Sequence, residues 1–361
     1  MIRNIQYLRG IAAIAVVFFH MRLYEGKSTS GMGILPNGFA CGDAGVDLFF
    51  VISGFIMVYI QPGRISSPSQ LIRFLAHRFT RIYPPYWFIS TGLLFIWMIK
   101  PTLFNSFYHN NVDIVKSFFL LPQDYTPLLG VGWTLIHEVY FYLIVSIALL
   151  FGFRGRVLFG ILWFFLVFGI FGLFGHSRFN GNCFLQLIFS PFSMTFLLGY
   201  FLGLLYPYIR RIKSLTLAFI LGLGVVGLII GSLYIPSVGV YPNNNHLFRF
   251  AAYGVPCFFI VASCIGLERD DSRSNVILKV LGDASYATYL VHLPIIALFY
   301  AVIKHYQIRD AFILSITAML CFVTCLGASI LFNRRIENPT LRFTRRFIEK
   351  TYGRSQAGKG S

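Results

Sequence analysis

The chain has 361 residues, of which 57% are apolar and only 12% are charged, about half the charged fraction of soluble domains. The apolar residues, among them 40 Phe and 20 Tyr, come in runs of about 20, the length needed to cross roughly 30 Å of hydrocarbon. These features exclude a soluble globular protein and predict an all-α integral membrane protein. The net charge of +17 lies mostly between the apolar runs, where it indicates membrane topology rather than nucleic-acid binding.

The apolar runs predict about ten membrane-spanning helices. When the N-terminus is placed inside, most of the 30 Lys and Arg residues fall on the inner side, so both termini are expected in the cytoplasm. The first run is expected to be a retained helix, because His20-Met21-Arg22 follows it instead of a small-residue cleavage site. We predict a membrane domain over 1–341 and a basic cytoplasmic tail over 342–361, disordered at its end. The predicted spans are 5–23, 44–60, 82–100, 128–151, 157–175, 184–206, 214–234, 249–267, 280–300 and 311–332.

The first predicted helix contains two ionisable residues, Arg9 and His20, in an otherwise apolar run. Such residues in a span are functional candidates because burying them in a bilayer is costly. Their separation corresponds to about 1100° of rotation, so both side chains leave one face, about 16 Å apart along the axis. Arg9 is expected near the cytoplasmic end and His20 near the outer end. The alternatives, a snorkelling arginine and an interfacial histidine, do not explain the shared face.

The second run begins with Asp47, at about the depth of His20, and Ser53 lies deeper. A carboxylate at that depth can orient an imidazole and raise its basicity. Ser53 lacks the G-x-S-x-G context of a nucleophile. We expect the small Ser53-Gly54 pair to allow close helix packing or passage of a ligand.

Arginines concentrate in the predicted inner loop before the third run. Arg78 and Arg81 lie three residues apart and share a face if the segment is helical. Guanidinium groups match phosphate oxygens in geometry, so these two residues, together with Arg73, are candidates for a phosphate-binding site. The alternative is that the arginines only set the topology.

The fourth run opens with Trp133 and continues to the pair His137-Glu138. The pair suggests a zinc motif, but Phe141 stands where H-E-x-x-H needs its second histidine, so no metal site is predicted. Glu138 is expected to reach the depth of His20 from a neighbouring helix. A structural, hydrogen-bonded carboxylate is the alternative.

The ninth run carries Ser285, Tyr289 and His292 at i, i+4 and i+7. This spacing places them in one polar stripe on a helix. Because lipid would penalise such a stripe, it is expected to face the bundle interior or a cavity. Contact with substrate and interior packing are equal alternatives.

The order and spacing of these segments resemble the bacterial membrane acyltransferase-3 family, in particular its members that modify exopolysaccharide. The resemblance extends from the first helix to about Pro339. Each motif is short, and the joint order makes the likeness specific. The motifs are Arg9-x10-His20, the segment 45–55, Arg78-x-x-Arg81 followed by Tyr83-Pro84, Trp133-Thr134-Leu135 with Glu138, and Ser285-Tyr286 with Tyr289 and His292.

The resemblance implies an O-acyltransferase of the bacterial inner membrane. Such proteins take an acyl group, often acetyl, from cytoplasmic acyl-CoA and deliver it to a carbohydrate hydroxyl at the outer face. The family's helix-one arginine and histidine fall on Arg9 and His20, and its two-arginine motif falls on Arg78 and Arg81. The expected partners are acetyl-CoA or another acyl-CoA as donor, a polysaccharide or lipid-linked oligosaccharide as acceptor, and membrane lipids.

Residues and resemblance together predict where the donor binds. Arg78 and Arg81, with Arg73, are expected to hold the CoA phosphates at the cytoplasmic mouth. Arg9 is expected near the entrance for the pantetheine arm.

The same combination predicts the catalytic group. His20 is expected to act on the sugar hydroxyl as general base or to carry the acyl group itself. Asp47 or Glu138 would orient it. Tyr289, Ser285 and Trp133 are candidate oxyanion donors.

Two other functions fit part of the pattern. A transporter or flippase for a polar lipid or sugar would also use a buried histidine with carboxylates as a proton relay. Such carriers often show inverted repeats with broken helices, which the sequence does not display. A non-catalytic assembly protein leaves the shared face of Arg9 and His20 unexplained.

Overall fold

The computed structural model describes residues 2–29, 31, 33–104, 109–174, 181–234, 246–268 and 275–352. These residues form α-helices joined by turns and by short 3₁₀ and π-helical segments, with no strand among them. The helices are α1 (Arg3–Ser28), α2 (Ala44–Tyr59), α3 (Pro68–Ile99), α4 (Ile114–Phe119), α5 (Gly132–Ala148), α6 (Phe153–Phe174), α7 (Cys183–Ile188), α8 (Phe192–Ile209), α9 (Ser214–Tyr234), α10 (His246–Arg249), α11 (Val255–Gly266), α12 (Val276–Asp283), α13 (Ser285–His305), α14 (Ala311–Phe332) and α15 (Asn338–Tyr352).

Nine helical stretches of the described part are long and apolar enough to cross a membrane, and α5 adds a shorter apolar helix of 17 residues. Each overlaps one of the ten predicted spans. On α9, the side chains of Leu215, Phe219 and Leu233 are 83%, 67% and 73% exposed. Lipid solvates such surfaces and water does not. The prediction of an all-α, multi-span membrane protein is therefore confirmed.

The third span begins earlier than predicted. Helix α3 starts at Pro68 rather than near residue 82, because the Ser67 hydroxyl caps it by accepting a hydrogen bond from the Gln70 N–H at 3.3 Å. A proline is favourable in the first helical turn, where its missing N–H has no partner to lose. Pro84 and Pro85 lie inside the helix. The arginines predicted for an inner loop are therefore carried by the helix itself.

The chain divides into two compact units, the first of which comprises Met1–Ile52 and Leu205–Asn333. Within it, α1 packs against α12 and α13. Gly282 permits the close approach, because a Cβ atom there would lie 2.2 Å from the Gln6 carbonyl oxygen. Farther along α1, a Cβ atom at Gly45 would lie 2.6 Å from the Ala12 carbonyl oxygen. Helix α1 thus makes two close backbone contacts, one with α12 at Gly282 and one with α2 at Gly45.

An apolar core holds the C-terminal half of α1 in this unit. Val17 and Met21 of α1 are buried together with Ile296 and Tyr300 of α13 and with Leu314 of α14. These contacts set the rotation of α1 relative to α13. The polar residues of the two helices are consequently held in a defined register.

The second unit comprises Ser53–Leu204 and Arg334–Ser361. The part of α2 from Ser53 onward belongs to this unit and packs on α8. A Cβ atom at Gly54 would lie 2.0 Å from the Phe196 carbonyl oxygen. This contact confirms the expected close packing at the Ser53-Gly54 pair. Helix α3 packs against α5 and α15 in the same unit.

The predicted basic tail begins inside a helix. Positions 342–352 continue α15, which starts at Asn338 and buries Leu341 and Ile348. Its basic residues therefore belong to a packed amphipathic helix. The predicted disordered end, 353–361, lies outside the described residues.

Arg156, which the sequence assigns to the inner positive charge, is only 2% exposed and has a structural role. Its guanidinium donates hydrogen bonds to backbone carbonyls on both sides of the turn between α5 and α6 and in the segment after α2. The acceptors are the carbonyl oxygens of Phe151, Gln61, Pro62, Gly63 and Leu149, at 2.6–3.4 Å. One side chain thereby ties together two connections that are distant in sequence.

Replacing Arg156 by lysine keeps the charge but removes the planar fork, so several carbonyls lose their donor. We expect Arg156→Lys to lower the free energy of unfolding by ~2–4 kcal/mol. Unfolding followed in detergent micelles measures the effect. Arg154→Lys, an exposed neighbour on the same helix, is the matched control and should change little. Equal stability of both variants would contradict the role assigned to Arg156.

Candidate active site

Two histidines meet in the first unit. His20 on α1 and His292 on α13 face each other with 3.2 Å between His20 Nδ1 and His292 Nε2. The ring centroids are 5.0 Å apart and the ring planes are inclined by 57°. His292 is fully buried and His20 is partly buried. A buried imidazole pair inside two apolar helices is the strongest candidate for a chemically active group in this unit.

Each ring of the pair is also held by the backbone of its own helix. His20 Nδ1 lies 3.0 Å from the Val16 carbonyl oxygen, and His292 Nδ1 lies 2.9 Å from the Thr288 carbonyl oxygen. Both contacts are one helical turn long, so helix geometry fixes the ring orientations. The sequence places His292 in a polar stripe but does not indicate His20 as its partner.

The other members of the predicted stripe are buried beside the pair. Tyr289 lies with its ring centroid 5.8 Å from that of His292 and makes an edge contact with Phe49. The Ser285 hydroxyl donates to the Gly282 carbonyl oxygen at 2.8 Å. Gly282 lies in the turn where α12 ends. The expectation that the stripe faces the protein interior is confirmed. The oxyanion roles predicted for these side chains stay predictions.

Asp47, predicted as a possible orienter of His20, is bound by an arginine. Arg249 donates to Asp47 Oδ2 from Nη2 at 2.6 Å and from Nε at 3.1 Å. The same guanidinium also donates to the Asp43 carboxylate, and all three residues are buried. One arginine between two carboxylates forms a buried charged network, in which Asp47 Oδ1 has no hydrogen-bond partner among the described residues. The ring that contacts His20 Nδ1 is that of His292, and the role of Asp47 towards His20 stays a prediction.

Arg9 lies on α1 as predicted, and its side chain is 9% exposed. It precedes Gly10, where a Cβ atom would lie 2.9 Å from the Gly282 backbone nitrogen. Helix α1 is continuous through Arg9 and His20, so the helical spacing that places both on one face holds. The role of Arg9 towards the donor stays a prediction.

Glu138 anchors a polar cluster in the second unit. Its Oε1 accepts hydrogen bonds from the Ser53 hydroxyl at 3.0 Å and from the Tyr142 hydroxyl. These contacts agree with the alternative that the sequence left open, in which Glu138 is a structural, hydrogen-bonded carboxylate. Ser53 is correspondingly a hydrogen-bond donor, beyond its place in helix packing.

Two of the three predicted phosphate-binding arginines, Arg73 and Arg78, differ in their surroundings. Arg73 is bound by Glu349 of α15, with Nη2 2.6 Å from Oε2, and His77 contacts the same carboxylate at 3.2 Å. Arg78 has a buried Nε atom without a hydrogen-bond partner among the described residues. Its charge is close enough to interact with Glu138 and Tyr142, and also with Arg81 and Arg345.

Trp133 and His137 are neighbours on α5. The His137 ring binds the Trp133 carbonyl through Nδ1 at 3.0 Å and packs edge-on against the indole, with 5.7 Å between centroids. Trp133 also contacts Phe192 of α8. In the part of the chain that is described, no group of three or more His, Cys, Asp or Glu residues is arranged to hold a metal ion.

Sequence reasoning missed Arg249 and Tyr142. Arg249 is not among the residues that the sequence predicts to be functional, although Asp43 and Asp47, spaced i, i+4 at the start of α2, require a cation if both are buried. Tyr142 follows Glu138 by four residues, so it shares its face. Both signals are present in the sequence, but neither identifies the partner.

Comparison with known proteins places the chain in a family. Residues 2–334 match the acyltransferase domain of the acyltransferase-3 family, and the chain belongs to that family. No solved structure matches the chain.

Several curated proteins are similar to parts of the chain. The exopolysaccharide production protein ExoZ of Rhizobium meliloti is 37% identical over 114 residues, covering 30% of this chain and 34% of ExoZ. The O-acetyltransferase OatA of Staphylococcus aureus is 24% identical over 367 aligned residues, covering 92% of this chain and 56% of OatA. A putative acetyltransferase, ORF330 of Acidianus two-tailed virus, is 28% identical over 40% of each chain. The chain therefore spans about a third to just over half of the length of these relatives.

A double-mutant cycle tests whether Asp47 serves Arg249. Removing one charge of a buried pair leaves the other uncompensated, so Asp47→Asn and Arg249→Gln should each lower stability by about 3 kcal/mol. The double variant should lose at least ~1 kcal/mol less than the sum. Unfolding in detergent micelles measures the cycle, with the exposed Asp124→Asn as control. If Asp47→Asn kept full stability and lost activity alone, Asp47 would act on substrate instead.

Proposed function

We propose that the chain is a membrane O-acyltransferase that moves an acyl group, expected to be acetyl, from acyl-CoA to a hydroxyl of a polysaccharide or a lipid-linked sugar. The observation that carries the proposal is the buried His20–His292 pair in a chain that belongs to the acyltransferase-3 family. The names of ExoZ and OatA support the acceptor class and the acetyl group. Family membership favours group transfer over the transporter alternative.

His20 is the proposed reactive group. As general base it would take the proton of the sugar hydroxyl while the sugar oxygen attacks the thioester carbonyl. The carbon–sulfur bond then breaks, and the CoA thiolate leaves and recovers a proton, which gives free CoA and the acylated sugar. In the alternative route, an imidazole nitrogen attacks the thioester, CoA leaves, and the sugar oxygen takes the acyl group from the ring.

Arg78 and Arg81 are the proposed ligands of the CoA phosphates. A guanidinium whose Nε is buried without a partner, as in Arg78, favours an anionic ligand that completes its hydrogen bonds. Arg73 is a weaker candidate than the sequence suggests, because Glu349 already neutralises it. Arg9 keeps its proposed place near the pantetheine arm.

The proposed location is the bacterial inner membrane, with both termini in the cytoplasm. The distribution of the 30 Lys and Arg residues between the spans supports this orientation. In that orientation α1 runs outwards, so Arg9 faces the side of acyl-CoA and His20 lies towards the side of the acceptor.

His20→Ala should abolish transfer of label from radiolabelled acetyl-CoA to a polysaccharide or lipid-linked acceptor. A loss of about 10²–10⁴-fold or more is expected because the base or acyl carrier is removed. The purified protein is assayed in nanodiscs. His305→Ala, an exposed histidine on α13, is the control and should retain activity. Survival of transfer in His20→Ala would exclude His20 as the reactive group.

The arginines are separated by a binding experiment with CoA. Arg78→Gln should weaken CoA binding by about 10–100-fold, the effect of losing a hydrogen-bonded charge. Arg73→Gln should weaken it by less than about 5-fold, because an exposed ion pair with Glu349 engages Arg73 in the free protein. Calorimetric titration of each purified variant measures both constants. Equal losses would place Arg73 at the donor phosphates and argue against the distinction drawn from the contacts.

A further inference from the structure

The contacts of the histidine pair determine which nitrogen atoms carry hydrogen. A backbone carbonyl can only accept a hydrogen bond, so His292 Nδ1, 2.9 Å from the Thr288 oxygen, must be the donor of that contact. In a neutral ring the other nitrogen then carries a lone pair. His292 Nε2 is therefore an acceptor.

The same reasoning applies independently to His20. Its Nδ1 lies 3.0 Å from the Val16 carbonyl oxygen and 3.2 Å from His292 Nε2, and both of these atoms accept. A proton on His20 Nδ1 satisfies both contacts, whereas a lone pair there would face two acceptors. His20 Nε2 is consequently the nitrogen with a free lone pair.

We propose that His292 is a positioning residue that fixes His20 in the Nδ1–H tautomer, so that Nε2 is the reacting atom. This inference rests on the proposed function and deepens it, because it applies whether Nε2 acts as base or as acyl carrier. Both nitrogens of His292 are engaged, so neither is left to hydrogen-bond a substrate. This changes the role predicted for it as a cavity residue.

The arrangement also accounts for the step in which His20 becomes charged. When Nε2 takes a proton from the acceptor hydroxyl, or is acylated, the ring becomes cationic and its Nδ1–H becomes a stronger donor. His292 Nε2 is already in place to accept it. A neutral imidazole thus performs the task that a carboxylate performs in a Ser-His-Asp triad, without a permanent buried charge.

Three substitutions at one position separate positioning from packing. In His292→Gln the amide oxygen can occupy the place of Nε2 and accept from His20. In His292→Asn the amide reaches only the place of Nδ1, so the bond to Thr288 can form and the acceptor for His20 is lost. His292→Leu removes both. The three variants are compared as full-length protein in nanodiscs.

We expect His292→Gln to stay within about 10-fold of the wild-type kcat and His292→Asn and His292→Leu to lose about 10²–10⁴-fold, the range for loss of a correctly oriented base. KM for acetyl-CoA should remain unchanged in all three. Equal kcat values for His292→Gln and His292→Asn, whether high or low, would overturn the positioning role.

A second readout does not depend on activity. ¹⁵N NMR of histidine-labelled protein distinguishes the two neutral tautomers, and the His20→Asn variant assigns the His20 signals. Wild type should show His20 as the Nδ1–H form, and His292→Leu should shift it towards a mixture. An Nε2–H form in the wild type would refute the inference. If wild type transfers no acetyl group but shows the Nδ1–H form, the proposed function fails while the geometry of the pair stands.

Discussion

Within the hydrocarbon of a bilayer no water completes the hydrogen bonds of a polar group, so each buried donor or acceptor needs a partner in the protein. This constraint shapes both units of the chain. In the first unit Arg249 lies between two carboxylates and thereby joins α10 to the start of α2. In the second unit Arg156 collects backbone carbonyls from two connections. In both cases a charged side chain fixes segments that are far apart in sequence. Leaving the guanidinium unpaired would cost more free energy than ordering these segments.

The histidine pair satisfies the same constraint in a different way. Arg249 and its two carboxylates form a charged, ion-paired network, in which Asp47 Oδ1 has no hydrogen-bond partner among the described residues. His20 and His292 are satisfied as neutral rings, by one hydrogen bond between them and one backbone carbonyl each. A neutral pair leaves one lone pair on His20 unused and can accept a charge during a reaction. The two arrangements therefore differ: Asp47 belongs to an ion-paired network, and His292 belongs to the imidazole pair of the candidate site.

The sequence predicts the helices and the key residues better than it predicts their partners. Apolar runs alone located the spans, and helical spacing placed Arg9 and His20 on one continuous helix. The predicted third span begins at 82, where the apolar run begins, whereas helix α3 begins at Pro68, directly after the Ser67 cap. Partners such as Asp47 with Arg249 are separated by 202 residues, and His20 with His292 by 272. Periodicity within one helix contains no information on such pairs, since they depend on how helices pack.

The contacts of the arginines in α3 distinguish residues that the positive-inside rule treats alike. The positive-inside rule accounts for cations near the membrane surface, but it does not explain why part of an arginine side chain is buried. Arg73 is exposed and paired, so its interaction with Glu349 holds α15 on α3 and leaves little for a ligand. Arg78 reaches inwards to the Glu138–Tyr142 cluster, and its Nε has no hydrogen-bond partner among the described residues. Burial of an incompletely bonded guanidinium is unfavourable, which supports the proposal that Arg78 binds an anion. Of Arg73 and Arg78, Arg78 is therefore the arginine that the contacts favour as a ligand-binding residue.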